Sequence, residues 1–238
     1  MHRFANPARF MKLSEGILPW VKTITFVLFA VGLYLVFFKS PDDYQQGNSV
    51  LIMYVHVPAA WMALFTYSSM ALASIAFLVW RHPLSDMAAR ASAPMGATFA
   101  FLTLVTGAIW GKPMWGAWWV WDARLTSMLI LFFMYCGYIA LARHADHDET
   151  TQKTCAILAI VGLINIPIIK FSVDWWATLH QPASVFRMDG PTIDPSMLTP
   201  LFVMALAFTF LHISLVLTEI KTMMLAAKLR RLQRKVAA

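Results

Sequence analysis

Six long stretches of the chain, near 17–38, 51–79, 92–110, 123–142, 154–173 and 197–220, are apolar almost throughout, not along one stripe. A helix needs about 20 consecutive apolar residues to cross a bilayer, and one that is apolar all round has no polar face to turn toward water. The pattern therefore predicts an all-α integral membrane protein of six transmembrane helices joined by short polar connections. The first stretch follows Arg3, Arg9 and Lys12, as the core of a secretory leader would. Its apolar run is too long for a leader, however, and ends at Lys39-Ser40-Pro41 without a small-residue cleavage site, so it is read as a retained anchor. No internal repeat, low-complexity tract or linker divides residues 1–238, which are read as one membrane domain.

Composition strengthens this picture. Of the 238 residues 59% are apolar and 13% charged, against about half and about a quarter in a soluble domain, and 17 Phe, 10 Trp and 15 Met exclude a disordered chain. Two cysteines, Cys136 and Cys155 in separate apolar runs, form neither a disulfide framework nor a paired metal motif.

Charge then orients the helices. Of the 19 Lys and Arg, fourteen fall on the side of the two termini and only Lys39, Lys112, Arg124, Lys170 and Arg187 on the other. Basic residues accumulate on the cytoplasmic side of short loops, so both termini are expected to be cytoplasmic. The net charge of +7 is thus mainly a topology signal and not a sign of nucleic-acid binding. The basic tail from Lys221 to Lys235 is read as lying against anionic head groups of the lipid bilayer. The cytoplasmic connections are a turn at Arg81-His82-Pro83-Leu84-Ser85-Asp86 and a solvated run from Arg143 to Lys153. In that run His144 and His147, beside Asp146 and Asp148, are more simply loop residues than metal ligands. Gly111-Lys112-Pro113 lacks the upstream Gly and following Ser/Thr of a phosphate-binding loop, so a nucleotide-driven step would need a partner subunit.

The unusual chemistry is on the external side. Between helices three and four, residues 110–126 hold five of the ten tryptophans: Trp110, Trp115, Trp118, Trp119 and Trp121. An interfacial belt of aromatic anchors predicts Trp at both membrane faces; seven of ten instead fall at external helix ends or loops, Trp175 and Trp176 included. That asymmetry favours a platform for a flat aromatic ligand. His56, near the external end of helix two, and His180, after helix five, share this face, and each has a proline two residues on. Singly, each is an ordinary packed or interfacial histidine. Together with the platform, one imidazole on either side of a planar ligand is what bis-histidine haem iron needs. Haem propionates require cations, for which Arg124 is best placed, either on a propionate or paired with Asp122; Asp122 reads first as the cap of helix four. His2, at a terminus, and His212, buried in helix six, lack this setting.

The segment Trp115-Gly116-Ala117-Trp118-Trp119-Val120-Trp121-Asp122, with Ala123-Arg124-Leu125-Thr126 behind it, resembles the WWD signature of the haem-handling superfamily of cytochrome c biogenesis. Within that superfamily the six helices, Tyr44-Gln45-Gln46-Gly47-Asn48-Ser49, His56-Val57-Pro58-Ala59-Ala60 and Leu179-His180-Gln181 resemble the CcmC family, and the likeness covers nearly the whole chain. The resemblance implies a multi-pass protein of the bacterial inner membrane. Its WWD loop, with Trp115, Trp118, Trp119, Trp121, Asp122 and Arg124, and its axial ligands His56 and His180 would hold haem b facing the periplasm. It further implies delivery of haem to the chaperone CcmE with assistance to covalent attachment there, and the ATPase CcmA, its membrane subunit CcmB and the small protein CcmD as partners. No nucleophile with its base is present, so the expected role is delivery and not conventional catalysis. The competing readings are a six-helix transporter of haem or another small molecule, disfavoured by spans almost free of ionisable groups, and a structural subunit whose Trp loop docks a protein.

Overall fold

The structure is a computed structural model and describes residues 6–144 and 148–237; His2, Asp146 and His147 lie outside the described residues. Among the described residues the regular elements are helices: α1 Pro7–Phe38, α2 Met53–Trp80, α3 Pro83–Trp115, α4 Ala123–Ala142, α5 Glu149–Gly162, α6 Asn165–Trp175 and α7 Pro195–Ala237. Six spans are long and apolar enough to cross a membrane, α5 and α6 together forming the fifth over Glu149–Trp175. The expected six-helix all-α membrane architecture is what folds. Outward-facing Phe26, Phe37 and Phe38 on α1 and Phe133 on α4 suit a hydrocarbon surround and would be costly against water.

The fifth span breaks because of its own sequence. Pro167 has no N–H to donate to Leu163, and its ring crowds that carbonyl. The chain passes the break through tighter bonds, Ile164 N to Val161 O at 3.3 Å and Ile166 N to Leu163 O at 3.1 Å. Asn165, buried at the break, donates its Nδ2 to Ser127 O at 2.9 Å and ties α6 to α4. This sets the direction in which α6 delivers the following segment to the end of the bundle.

Small residues set the packing. α2 lies along α3 and α1 along α7, with Ala59, Ala63, Ala71, Ala91 and Ala100 fully buried, which lets helix backbones approach where lipid offers no hydrophobic drive for association. The spaces they leave are filled by Tyr67 and Tyr135, whose rings meet edge to face at 5.0 Å. Tyr135 donates its hydroxyl to Ala63 O at 2.7 Å. Gly96 makes room for the Tyr135 ring and Gly162 for the Tyr67 hydroxyl; a Cβ at either would overlap them.

At the basic end the turn is shorter than the sequence pattern suggests. Only Arg81, in the left-handed region at φ 53°, and His82 lie between α2 and α3. His82 accepts from Leu84 N at 3.2 Å, and Pro83 opens α3 without needing a donor. Asp86, expected in the turn, is therefore inside the first turns of α3, buried and paired with Arg90 at 2.9 Å. α3 also begins earlier and ends later than the apolar run 92–110, and α7 continues as one helix beyond its span through the basic tail to Ala237.

Candidate functional site

The start of α2, the end of α3, the start of α4 and the segment after α6 converge at the end of the bundle opposite Arg81. Of residues 110–126, Trp110 to Trp115 complete α3, 116–122 are irregular, and α4 starts at Ala123. α3 stops at Gly116, which adopts φ 74° and supplies the left-handed closure a side chain would resist. Asp122 caps α4, its Oδ1 accepting from Leu125 N at 2.8 Å. Capping is one of the two roles the sequence left open for it, and the other carboxylate oxygen, Oδ2, is buried without a hydrogen-bond partner.

His56 is buried on α2. Its Nδ1 lies 3.0 Å from Thr106 Oγ1, and the Thr106 hydroxyl already gives its proton to Leu102 O at 2.7 Å. The threonine oxygen therefore accepts, Nδ1 carries the ring proton, and the Nε2 lone pair is left uncommitted. Gly107 lies against the ring: a Cβ there would sit 3.0 Å from His56 Cε1.

His180 is half-buried in the segment after α6. Its Nδ1 stands 3.1 Å from Gln181 O and 3.4 Å from Arg124 Nη1. A carbonyl can only accept, so the shorter contact assigns the proton to Nδ1 and again leaves Nε2 uncommitted. Burial, and then the Arg124 guanidinium, push the His180 imidazole below its usual range and keep it neutral. Arg124 is fixed by donating to Ser172 Oγ at 3.1 Å and Lys170 O at 3.2 Å. Its hydrogen bonds thus go to α6, with Nη1 only lying alongside the protonated His180 Nδ1, and no ion pair with Asp122 is among its contacts.

The fold brings the two histidines together. Their ring centroids are 6.4 Å apart with planes 30° from parallel. Trp110 meets His56 edge-on at 5.7 Å, and Trp115 meets His180 at 6.1 Å. The tryptophans fall into two groups around the site. Trp110 and Trp115, on the last turns of α3, wall the imidazoles, while Trp118 and Trp121 are 58% and 75% exposed at the rim. Trp119 packs edge to face on Trp121 at 5.4 Å and buries its Nε1 without a partner. Three contributors escaped sequence reasoning. Trp110 was counted only as one tryptophan among five, and Thr106 and Gly107 sit in an ordinary apolar run with no local signal.

Comparison with known proteins gives the chain its family. The family model described as heme exporter protein C matches residues 1–235. The chain is 55% identical over 229 residues to the heme exporter protein C of Bradyrhizobium diazoefficiens, covering 96% of this chain and 87% of the relative. It is 44% identical over 231 residues to that of Escherichia coli K12, covering 97% and 93%. A putative cytochrome c biosynthesis ccmC-like mitochondrial protein of Marchantia polymorpha is 50% identical over 184 residues, covering 77% and 78%. A match that spans both histidines, the tryptophan segment and all six spans leaves no part of the architecture outside it, and the chain belongs to the heme exporter protein C family.

Proposed function

We propose that this chain binds haem b between His56 and His180 at the periplasmic face of the bacterial inner membrane and presents it to the chaperone CcmE for covalent attachment. The observation that carries the reading is the pair of near-parallel imidazoles 6.4 Å apart, each with Nε2 uncommitted. Two imidazoles bonded through nitrogen to one metal ion at about 2 Å have ring centres about 6 Å apart. Both Nδ1 protons are anchored, to Thr106 and Gln181, and such outer hydrogen bonds orient ring ligands and raise their basicity.

The surroundings fit the same cargo. Trp110 and Trp115 offer apolar walls, Arg124 places a guanidinium beside His180, and the Trp119 Nε1–H is a buried donor in want of an acceptor such as a propionate. When bound, haem supplies the iron and the vinyl groups; the chain's own residues ligate, orient and shield. The exposed Trp118, Trp121, Phe186 and Met188 at this end supply an apolar rim against which a chaperone would dock. The excess of Lys and Arg at the opposite end favours a cytoplasmic location for that end and for both termini. Energy coupling is assigned to the partners CcmA and CcmB, with CcmD as a further membrane subunit, and this chain's part is delivery, not catalysis.

The test is haem titration of the purified protein. The expected product is a low-spin spectrum that His56→Ala and His180→Ala each disturb. Retention of the same spectrum in the double variant would refute the assignment.

A further inference from the structure

The connection between α1 and α2 reaches across to the site through one side chain. Trp110 donates its Nε1–H to Gln46 Oε1 at 2.8 Å, and the two residues are part-buried. Gln46 is itself held from three directions. Its backbone N–H and that of Gln45 both donate to Asp43 Oδ1 at 2.9 Å. Its carbonyl accepts from Ser49 Oγ at 2.7 Å and from Ser49 N at 3.1 Å. The following Gly47 closes the loop with φ 51° and ψ −139°, a conformation side chains avoid, and donates to Asp43 O at 2.8 Å. A short 3-10 turn, Asn48–Ile52, then runs directly into α2 and His56. These bonds fix the backbone from which the Gln46 side chain reaches Trp110. The indole it holds is the one whose edge meets the His56 ring at 5.7 Å and 77°.

We propose that Gln46 is a positioning residue for His56: by fixing the Trp110 indole it sets the rotation of the imidazole about its own axis. Thr106 restrains one nitrogen and Gly107 one edge of that ring. A ring pinned at one nitrogen retains a swing about that contact, and the Trp110 edge is what limits it. Without the Gln46 acceptor, a part-buried indole N–H loses its partner and the ring turns to find another. The inference rests on the reading that His56 ligates haem iron.

The test uses full-length protein loaded with haem, measuring reduction potential, absorption spectrum and the rate of haem loss to an excess of apomyoglobin. Gln46→Leu is expected to shift the potential and spectrum and to speed haem loss by up to about tenfold, the cost of one lost hydrogen bond. Gln46→Glu, which keeps an acceptor oxygen, is expected to restore the spectrum and the rate of haem loss. Trp110→Phe keeps an aromatic wall but has no N–H, so it reproduces Gln46→Leu and carries the test should that variant fail to fold. The double variant Gln46→Leu/Trp110→Phe is expected to be no worse than either single one, because both remove the same contact. Unchanged potential and loss rate in Gln46→Leu, or additive effects in the double variant, would overturn the proposal while leaving ligation by His56 standing. If His56→Ala also leaves the spectrum unchanged, the ligand assignment falls and this proposal with it.

Discussion

Gly107→Ala tests the site without replacing any proposed ligand, platform tryptophan or charge. An alanine Cβ at this position would lie 3.0 Å from His56 Cε1 and 3.6 Å from Nδ1, where ordinary contacts run from 3.4 to 4 Å. The imidazole must therefore give way by a few tenths of an ångström. It cannot do so freely, because Thr106 holds Nδ1 at 3.0 Å and Trp110 stands at its edge. Overpacking of this kind costs ~1–3 kcal/mol, against ~0.5–1 kcal/mol gained from replacing a helical glycine by alanine. The net expectation is ~1–2 kcal/mol charged to the geometry a ligating imidazole needs, equivalent to a loss of haem retention of about 5–30-fold. Gly137→Ala on α4 is the control, since its Cβ would meet nothing within 4 Å. Haem titration and thermal unfolding in detergent would be measured on both variants. Gly137→Ala should match the parent in haem retention. A Gly107→Ala protein that also matches it, in retention and in spectrum, would show that His56 does not need its observed position.

Three other perturbations probe different parts of the account. Gly96→Ala should lower the unfolding temperature by several degrees, because its Cβ overlaps the Tyr135 ring, whereas Tyr135→Phe, which removes only the bond to Ala63 O, should cost ~1 kcal/mol; equal stability of Gly96→Ala and parent in a melting experiment would contradict the packing. The His180 imidazole is held below its usual range by burial and by Arg124, so it stays neutral as pH falls through 6.5, and on the proposed ligation only below that should haem retention decline. Protein stability should fall over the same acid range, since the unfolded chain takes up that proton first. A spectrophotometric titration with its midpoint at or above pH 6.5 would contradict this. Trp115→Ala, Trp118→Ala and Trp119→Ala should each lower haem occupancy or chaperone loading, while Trp20→Ala and Trp80→Ala should change neither. Trp20 and Trp80 are 71% and 60% exposed, comparable with Trp118, so equal effects across the set would favour simple interfacial anchoring.

The parts of this molecule legible in its sequence are those that depend on local pattern. Unbroken apolar runs sufficed to place six spans, because a bilayer demands length and hydrophobicity and little else. Helix ends were harder. Apolarity fades at Arg90 and Trp110, but the hydrogen-bonded helix runs from Pro83 to Trp115, capped by His82 and closed by Gly116, and Asp86 is carried inside with its Arg90 partner. The break in the fifth span had its signal in Pro167, masked by the apolar residues around it. At the site, His56 and His180 were legible as a pair because charge asymmetry and helix count put them on one face. What fixes them was not. The contacts of His56 to Thr106 and of Trp110 to Gln46 join residues distant in sequence, and no periodicity in a single chain encodes which side chains meet across a bundle. The tryptophans illustrate the same limit: composition grouped them, and only packing separates the two that wall the imidazoles from the two at the rim.

The most direct test of haem ligation is the absorption spectrum, with haem quantification, of the purified protein and its His56→Ala/His180→Ala variant from cells supplied with haem. The account predicts a low-spin spectrum in the parent that is lost in the variant. The same spectrum and the same haem content in both would place the iron elsewhere and contradict it.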